Sequence, residues 1–267
     1  MFPQVETDTR HSGLDAGGSY CRETDFFLES ALEQLDASLP LVDRAMTAST
    51  VRRWLAETRS RLGRKIDGLP LVSRRQCRAG CSWCCHTITT DVTAPEAILL
   101  AEDLRQRHAP KELSEIRCRL ARADAYRKEM LPAERRWRRV RCGLLDDTER
   151  CVAYRVRPLA CLGAFSFSAA RCESAYRGES DPQGKSGMDE AAKTCTRGVS
   201  AALQRTLALT GLDGNLYELN SAVLGILEIP DAFERWLGGE DLFADCLCSD
   251  PHSPPRVKRS LKKTTPD

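Results

Sequence analysis

The chain has 267 residues, 29% of them charged, and its 40 Lys+Arg against 38 Asp+Glu leave a formal net charge of +2. So even a balance gives no global electrostatic case for nucleic acid or a membrane surface as partner. Aromatic residues, at 6%, are too sparse for a base-stacking platform.

Residues 1–22 are rich in Gly, Ser, Thr and Asp without periodicity and read as a flexible tail. A helical hairpin is expected over residues 23–72. Its first helix is capped by Thr24 or Asp25, carries Leu28, Leu32, Leu35 and Leu39 on one face, and ends at Pro40. The second runs from about Val42 to Ile66, with Val51, Leu55, Leu62 and Ile66 as its apolar stripe and Gly68 and Pro70 as its stop.

A cysteine-rich domain follows over residues 73–210. Thr87–Thr93 alternates β-branched residues and reads as a strand. Thr93-Ala-Pro-Glu96 then makes a capping box for a helix to about His108, with Ala97, Leu100, Ala101 and Leu104 together. A further helix from Lys111 to Met130 presents Leu113, Ile116, Leu120 and Ala123. Residues 142–172 are turn-rich, with one short helix opening at Pro158. A long helix from Asp189 to Thr210 turns Cys195, Val199, Leu203 and Leu207 to the core. Residues 211–245 give C-terminal helices, from Asn215 to Leu227 and from Pro230 to Gly238-Gly239, and residues 246–267 a flexible basic tail. The expected fold is mainly α, an irregular multi-cysteine metal-binding core with few short strands, flanked by helices.

Thirteen cysteines stand out. They fall below the roughly 8–10% of a disulfide scaffold, and the chain has residues enough for a core. No run approaches the roughly 18 apolar residues of a spanning helix. The first residues lack the basic and apolar blocks of a secretory signal. The expectation is therefore a cytoplasmic protein, where clustered thiols serve as metal ligands or reactive groups.

Cys77-x3-Cys81-x2-Cys84-Cys85 packs four thiols into nine residues. Two or three intervening residues let a loop turn and aim successive sulfurs inward, and soft thiolates suit zinc, copper(I) or iron–sulfur clusters. Arg74, Arg75 and Arg78 flank the loop and would lower the thiol pKa values, while Gly80 permits the tight turn. A second group follows as Cys142-x8-Cys151-x9-Cys161-x10-Cys172, threaded through Tyr154 and Arg157-Pro158.

This order of features resembles the YkgJ-type CxxCxxCC cysteine-cluster proteins: the cysteine loop, a strand into a Thr/Glu-capped helix, then a C…LLD…C-x-x-Y-x-x-R-P-x-x-C pattern. That family is described as zinc- or iron-chelating, and a flagellin lysine N-methylase is grouped near it. The resemblance spans roughly residues 74–175. It implies Cys77, Cys81, Cys84, Cys85, Cys142, Cys151 and Cys161 as ligands with Cys172 next, and Arg157 as a donor of hydrogen bonds to sulfur. Leu162 stands where the family usually has arginine, and Gly143 where proline is common.

Each cysteine taken singly also reads as a small buried hydrophobe. Cys172 and Cys195 fit packing as well as ligation, Cys118 lies out of register with its helix stripe, and Cys21, Cys246 and Cys248 stand apart. Zinc favours paired CxxC knuckles, and only Cys81-x-x-Cys84 supplies one. The x3-x2 spacing is closer to cluster loops, so the reading leans to iron or an iron–sulfur cluster over zinc, and eight thiolates could also hold two separate ions.

Cys77-x3-Cys81-x2-Cys84 also matches the loop of radical adenosylmethionine enzymes, but the order of motifs and a barrel's alternating pattern are missing. A protein lysine N-methyltransferase-like activity is the enzymatic alternative, although no glycine-rich nucleotide loop follows a strand. A structural zinc module for protein or nucleic-acid interaction is the other alternative, with a protein partner left unidentified. The Arg135–Arg141 run with Trp137 reads as a solvated face rather than a nucleic-acid surface. His86 reads as a loop residue rather than a ligand.

Overall fold

The computed structural model describes residues 25–38, 46–131, 134, 138–179 and 187–247. The expectations for the two tails, and for Cys21, Leu39, Trp137 and Cys248, lie outside these residues. The described part is mainly helical, and no helix in it is long and apolar enough to cross a membrane.

Helix α1, over residues 25–38, departs from the expected orientation. Leu28 and Leu32 are 51% and 63% exposed, while Ser30, Gln34 and Ser38 are buried. The helix docks through this polar face because it approaches its neighbours too closely for leucine. Gln34 Nε2 donates to Thr58 Oγ1 (2.9 Å), and Trp54 Nε1 donates to Ser38 Oγ (3.0 Å). A Cβ on Gly198 would lie 2.4 Å from the Phe27 carbonyl oxygen. Each buried polar group that finds a partner avoids its desolvation cost.

Helix α2 (Ala48–Asp67) starts at a capping box between Thr47 and Thr50, later than the expected Val42, and buries Val51, Leu55, Leu62 and Ile66 as anticipated. Helix α3 (Trp83–Thr87) is one short turn inside the cysteine loop. It takes up the start of the expected strand, so that β1 is only Asp91–Thr93. Helices α4 (Ala94–Arg107) and α5 (Pro110–Lys128) follow the predicted spans closely. Next come α6 (Leu159–Leu162), α7 (Ala169–Arg177) and the long α8 (Glu190–Leu209).

The helix expected from Asn215 begins instead with a strand, β2 (Leu216–Glu218), and continues as α9 (Leu219–Ile226). β2 pairs antiparallel with β1 in the register Asp91–Glu218, Val92–Tyr217 and Thr93–Leu216. The pairing satisfies backbone groups just before each strand turns into a helix, α4 and α9. Helix α10 (Ala232–Leu237) is the last helix among the described residues and ends at Gly238.

One apolar cluster runs through these elements, from Val51 and Leu55 of α2 through Leu100 and Leu104 of α4 to Val223 and Ile226 of α9 and Phe233 of α10. Helix α9 lies against α4 and α5, and α2 lies against α8. Within this core Arg127 and Glu218 form an ion pair at 3.1 Å with side chains 2% and 6% exposed. Burial raises the Glu218 carboxyl's pKa, against the hydrogen bond from Ser221 N and the charge of Arg127.

Candidate metal centre

The cysteine loop is pinned at its start. Arg75 Nε donates to Asp189 Oδ2 (2.8 Å), another of its nitrogens donates to the Ile66 carbonyl (3.1 Å), and the guanidinium lies 4.2 Å from the Phe165 ring centre. This commitment corrects the expectation that Arg75 tunes the thiols. Gln76 N donates to the Ser166 carbonyl (2.9 Å), and Ser166 N in turn donates to Cys77 Sγ (3.2 Å). Gly80 takes a positive φ of 82°, the tight turn foreseen for it, and Cys81 N closes on the Arg78 carbonyl (2.9 Å). Cys84 and Cys85 then sit on α3 with their sulfurs 3.9 Å apart.

The second group of thiols arrives on chain segments tied to the first. Cys142 N donates to the Cys85 carbonyl at 2.8 Å. Next to it Gly143 N donates to Asn220 Oδ1 (2.8 Å), and a Cβ at Gly143 would meet the Leu120 backbone at 2.7 Å. Proline at this position would have no N–H to give and no room for its ring. Cys151 is bridged to Leu145. Glu96 Oε2 accepts from Thr93 N (3.0 Å) and Thr93 Oγ1 (2.8 Å), while its Oε1 accepts from Leu159 N (2.9 Å). One carboxylate thus fixes the starts of both α4 and α6, and α6 carries Cys161, whose sulfur is 3.9 Å from Thr90 Oγ1. Cys172 lies on α7, which packs against α3, with Trp83 and Tyr176 ring centres 5.2 Å apart.

All eight predicted thiols are therefore within electrostatic reach of one another in a chain of neighbours. The Cys84 and Cys85 thiols share a hydrogen bond in which either sulfur can donate, and this coupling lowers the Cys84 pKa to about 7 and drives that of Cys85 strongly upward. Burial raises the pKa of Cys77, Cys142, Cys151, Cys161 and Cys172, that of Cys161 to about 12. Each is raised further by nearby sulfurs: Cys77 by Cys81, Cys84 and Cys172, and Cys161 by Cys151 and Cys84. The Arg157 charge acts the other way on Cys84, Cys151 and Cys161. Its guanidinium sits 4.5 Å over the Tyr154 ring. Among the described residues it makes no hydrogen bond to sulfur, so its influence is through charge.

The described cysteines are all free thiols. As the side chains stand, no group of three or more Cys, His, Asp or Glu among the described residues closes on a common point as a metal site would. The donor chemistry fits a soft cation or cluster, since thiolates crowded together repel unless a cation intervenes. Cys195 lies in the core and apart from this group, beside Ser30 and Lys65. Cys118 is exposed, as its register implied, and Cys246 Sγ donates to the Ser221 carbonyl (3.5 Å).

Sequence reasoning missed Glu149. Its carboxylate accepts from Ser82 Oγ (2.5 Å) and Arg141 (3.2 Å) and pairs with His86 Nε2 at 2.7 Å. Partial burial alone would raise its pKa, but these three partners hold it at about 2. Its φ of 60° is unusual for a residue with a side chain, which marks a backbone bent to serve a contact. The only hint in sequence is the Asp146-Asp147-Thr148 turn before it. His86 is thus fixed on a helix rather than a loop, and it lines a cleft of about 690 Å³ with Cys81, Trp83, Glu149 and Tyr176. Of the basic run, Arg138 and Arg139 are exposed, as a solvated face would be, with Arg139 donating to the Tyr176 carbonyl, while half-buried Arg141 donates to the Leu145 and Asp146 carbonyls (3.1 and 2.6 Å).

Comparison with protein-family models, curated proteins and solved structures finds no match for the chain.

Proposed function

We propose that this is a metal-binding cysteine-cluster protein of the YkgJ type, holding iron or an iron–sulfur cluster, with zinc as the alternative, through Cys77, Cys81, Cys84, Cys85, Cys142, Cys151, Cys161 and Cys172. The observation that supports this reading is that thiols from separate stretches of chain come close enough to one another for their charges to interact. The Cys142–Cys151 segment is tied to the Cys77–Cys85 loop by the Cys142–Cys85 backbone hydrogen bond of 2.8 Å, α7 packs against α3, and α6 sets Cys161 beside Thr90, just beyond the loop. Core packing alone gives no reason for Cys84 and Cys85 to lie 3.9 Å apart with Cys81, Cys142, Cys151, Cys161 and Cys172 close enough for their charges to be felt, while Cys195 lies apart in the core.

When bound, such a centre supplies Lewis-acid or one-electron chemistry. The protein's own part is to gather the sulfurs and to offset their negative charge with Arg157. Glu149 fastens Ser82 and His86 of the loop region to the segment before Cys151.

Anaerobic purification followed by elemental analysis and visible absorption tests the reading. Iron with sulfur-to-iron bands, or colourless protein carrying zinc, is the expected result. Cys81→Ser is expected to lower metal content and thermal stability together, because binding free energy contributes to folding. Unchanged metal content in that variant, or wild type isolated without a transition metal, refutes the proposal.

A further inference from the structure

Helix α3 divides the thiols into two sides. On one side α7 packs against it, bringing Cys172 towards Cys81 and Cys84, with Trp83 and Tyr176 in ring contact at 5.2 Å. Cys77 joins this side through Ser166, whose N–H donates to its sulfur at 3.2 Å, and Ser166 lies just before α7. On the other side the Cys85 carbonyl takes the Cys142 N–H at 2.8 Å, and the segment from Cys142 returns through the Leu145–Cys151 bridge. Cys161 approaches the same side from α6, beside Thr90. Cys84, with its sulfur 3.9 Å from that of Cys85, stands at the junction.

The sides also differ in access. Cys77 is exposed and Cys81 lines the cleft of about 690 Å³ formed with Arg78, Trp83, His86 and Tyr176. Cys81 is the one cysteine in that lining, but Gln76 beside Cys77 and Ala169, Ala170, Glu173 and Tyr176 of α7, which carries Cys172, line it as well, whereas Cys142 and Cys151 pack against the buried apolar cluster.

Resting on the proposed function, we infer that the cluster is two subsites sharing Cys84: an outer one of Cys77, Cys81 and Cys172 that opens on the cleft, and an inner one of Cys85, Cys142, Cys151 and Cys161. Thiolates a few ångströms apart repel strongly in a low-dielectric setting, so two cations relieve a set of eight better than one. The outer cation, reached through the cleft, exchanges with solvent ligands, and the inner one is held by the fold.

Cobalt(II), whose thiolate charge-transfer absorption reports sulfur ligation directly, is the probe. Metal-free protein titrated anaerobically is expected to bind about two equivalents, and transfer to an added chromophoric chelator is expected in two phases differing about tenfold or more in rate. Cys77→Ser with Cys172→Ser is expected to abolish the fast phase and leave the slow one. Cys142→Ser with Cys161→Ser is expected to abolish the slow one, and Cys84→Ser to weaken both. A single release phase in wild type, or loss of both phases with the Cys77/Cys172 pair, overturns the division while leaving metal binding intact. Absence of any thiolate-to-cobalt band in wild type sinks the metal-binding reading itself. The wild-type release measurement decides the matter even where a double variant fails to fold.

Discussion

Replacing Gly143 with alanine tests how the second thiol segment is seated. An ideal Cβ there lies 2.7 Å from both the amide nitrogen and Cα of Leu120 and 2.9 Å from its Cδ2. The first two are backbone atoms inside α5, which cannot swing aside as a side-chain tip would. The 141–145 segment must lift away, stretching the 2.8 Å hydrogen bond from Gly143 N to Asn220 Oδ1. Overpacking of this kind costs about 1–3 kcal/mol, and loss of the buried hydrogen bond about 1 kcal/mol more. The sum is about 3 kcal/mol, and at about 2–4 °C per kcal/mol for a chain of this size Tm falls by about 6–12 °C. Thermal unfolding of the metal-free protein, followed by circular dichroism, reads the change. Gly63→Ala is the internal control, because a Cβ at Gly63 meets nothing within 4 Å, and in a helix interior it is expected to gain about 0.5–1 kcal/mol. A Gly143→Ala protein melting within about 1 °C of wild type would refute the close-approach argument.

Glu149→Gln is expected to remove a specific acid sensitivity. A carboxyl held at about 2 contributes stability that is present above its unfolded value near pH 4–5 and is lost as pH falls through about 2. The side chain is 40% exposed, and screening limits the contribution to about 1 kcal/mol. Metal-free wild type therefore loses more stability than the variant between about pH 5 and pH 2, and parallel curves would contradict the prediction. Leu28→Glu with Leu32→Glu on α1 should change stability by less than about 0.5 kcal/mol, whereas Gln34→Ala should cost about 1–2 kcal/mol through its lost buried hydrogen bonds. The reverse ranking by denaturant unfolding would return the leucines to the core. Cys118→Ser should leave both metal content and Tm unchanged, and a drop in either would mean that this exposed thiol takes part in the site.

The helices that pack by periodic apolar stripes were legible before any coordinates. Val51, Leu55 and Leu62 on α2, and Cys195, Val199 and Leu203 on α8, are buried where the spacing put them. The first helix was misjudged because periodicity reveals a face without revealing what that face meets. At α1 the neighbouring Gly198 allows an approach so close that serine and glutamine fit and leucine does not. Strand β2 hid for a related reason: Leu216 and Leu219 are three apart, a helical spacing, and only pairing with β1 draws Leu216–Glu218 out as a strand. Local chain geometry governs how neighbouring sulfurs are aimed, and within the cysteine loop it sets Cys84 and Cys85 side by side on α3 with their sulfurs 3.9 Å apart. Glu149 was invisible because its partners Ser82 and His86 lie more than sixty residues away and no local pattern encodes that meeting. Gly143 looked like a departure from a family pattern, and its meaning came only from the backbone of Leu120 and the side chain of Asn220.

The most direct test of the account is X-ray absorption at the edge of the metal carried by anaerobically isolated protein. Coordination through the gathered thiols predicts sulfur scatterers at about 2.3 Å as the nearest neighbours, about four for each metal atom. A nearest set of nitrogen or oxygen atoms at about 2.0–2.1 Å, without sulfur, would contradict it.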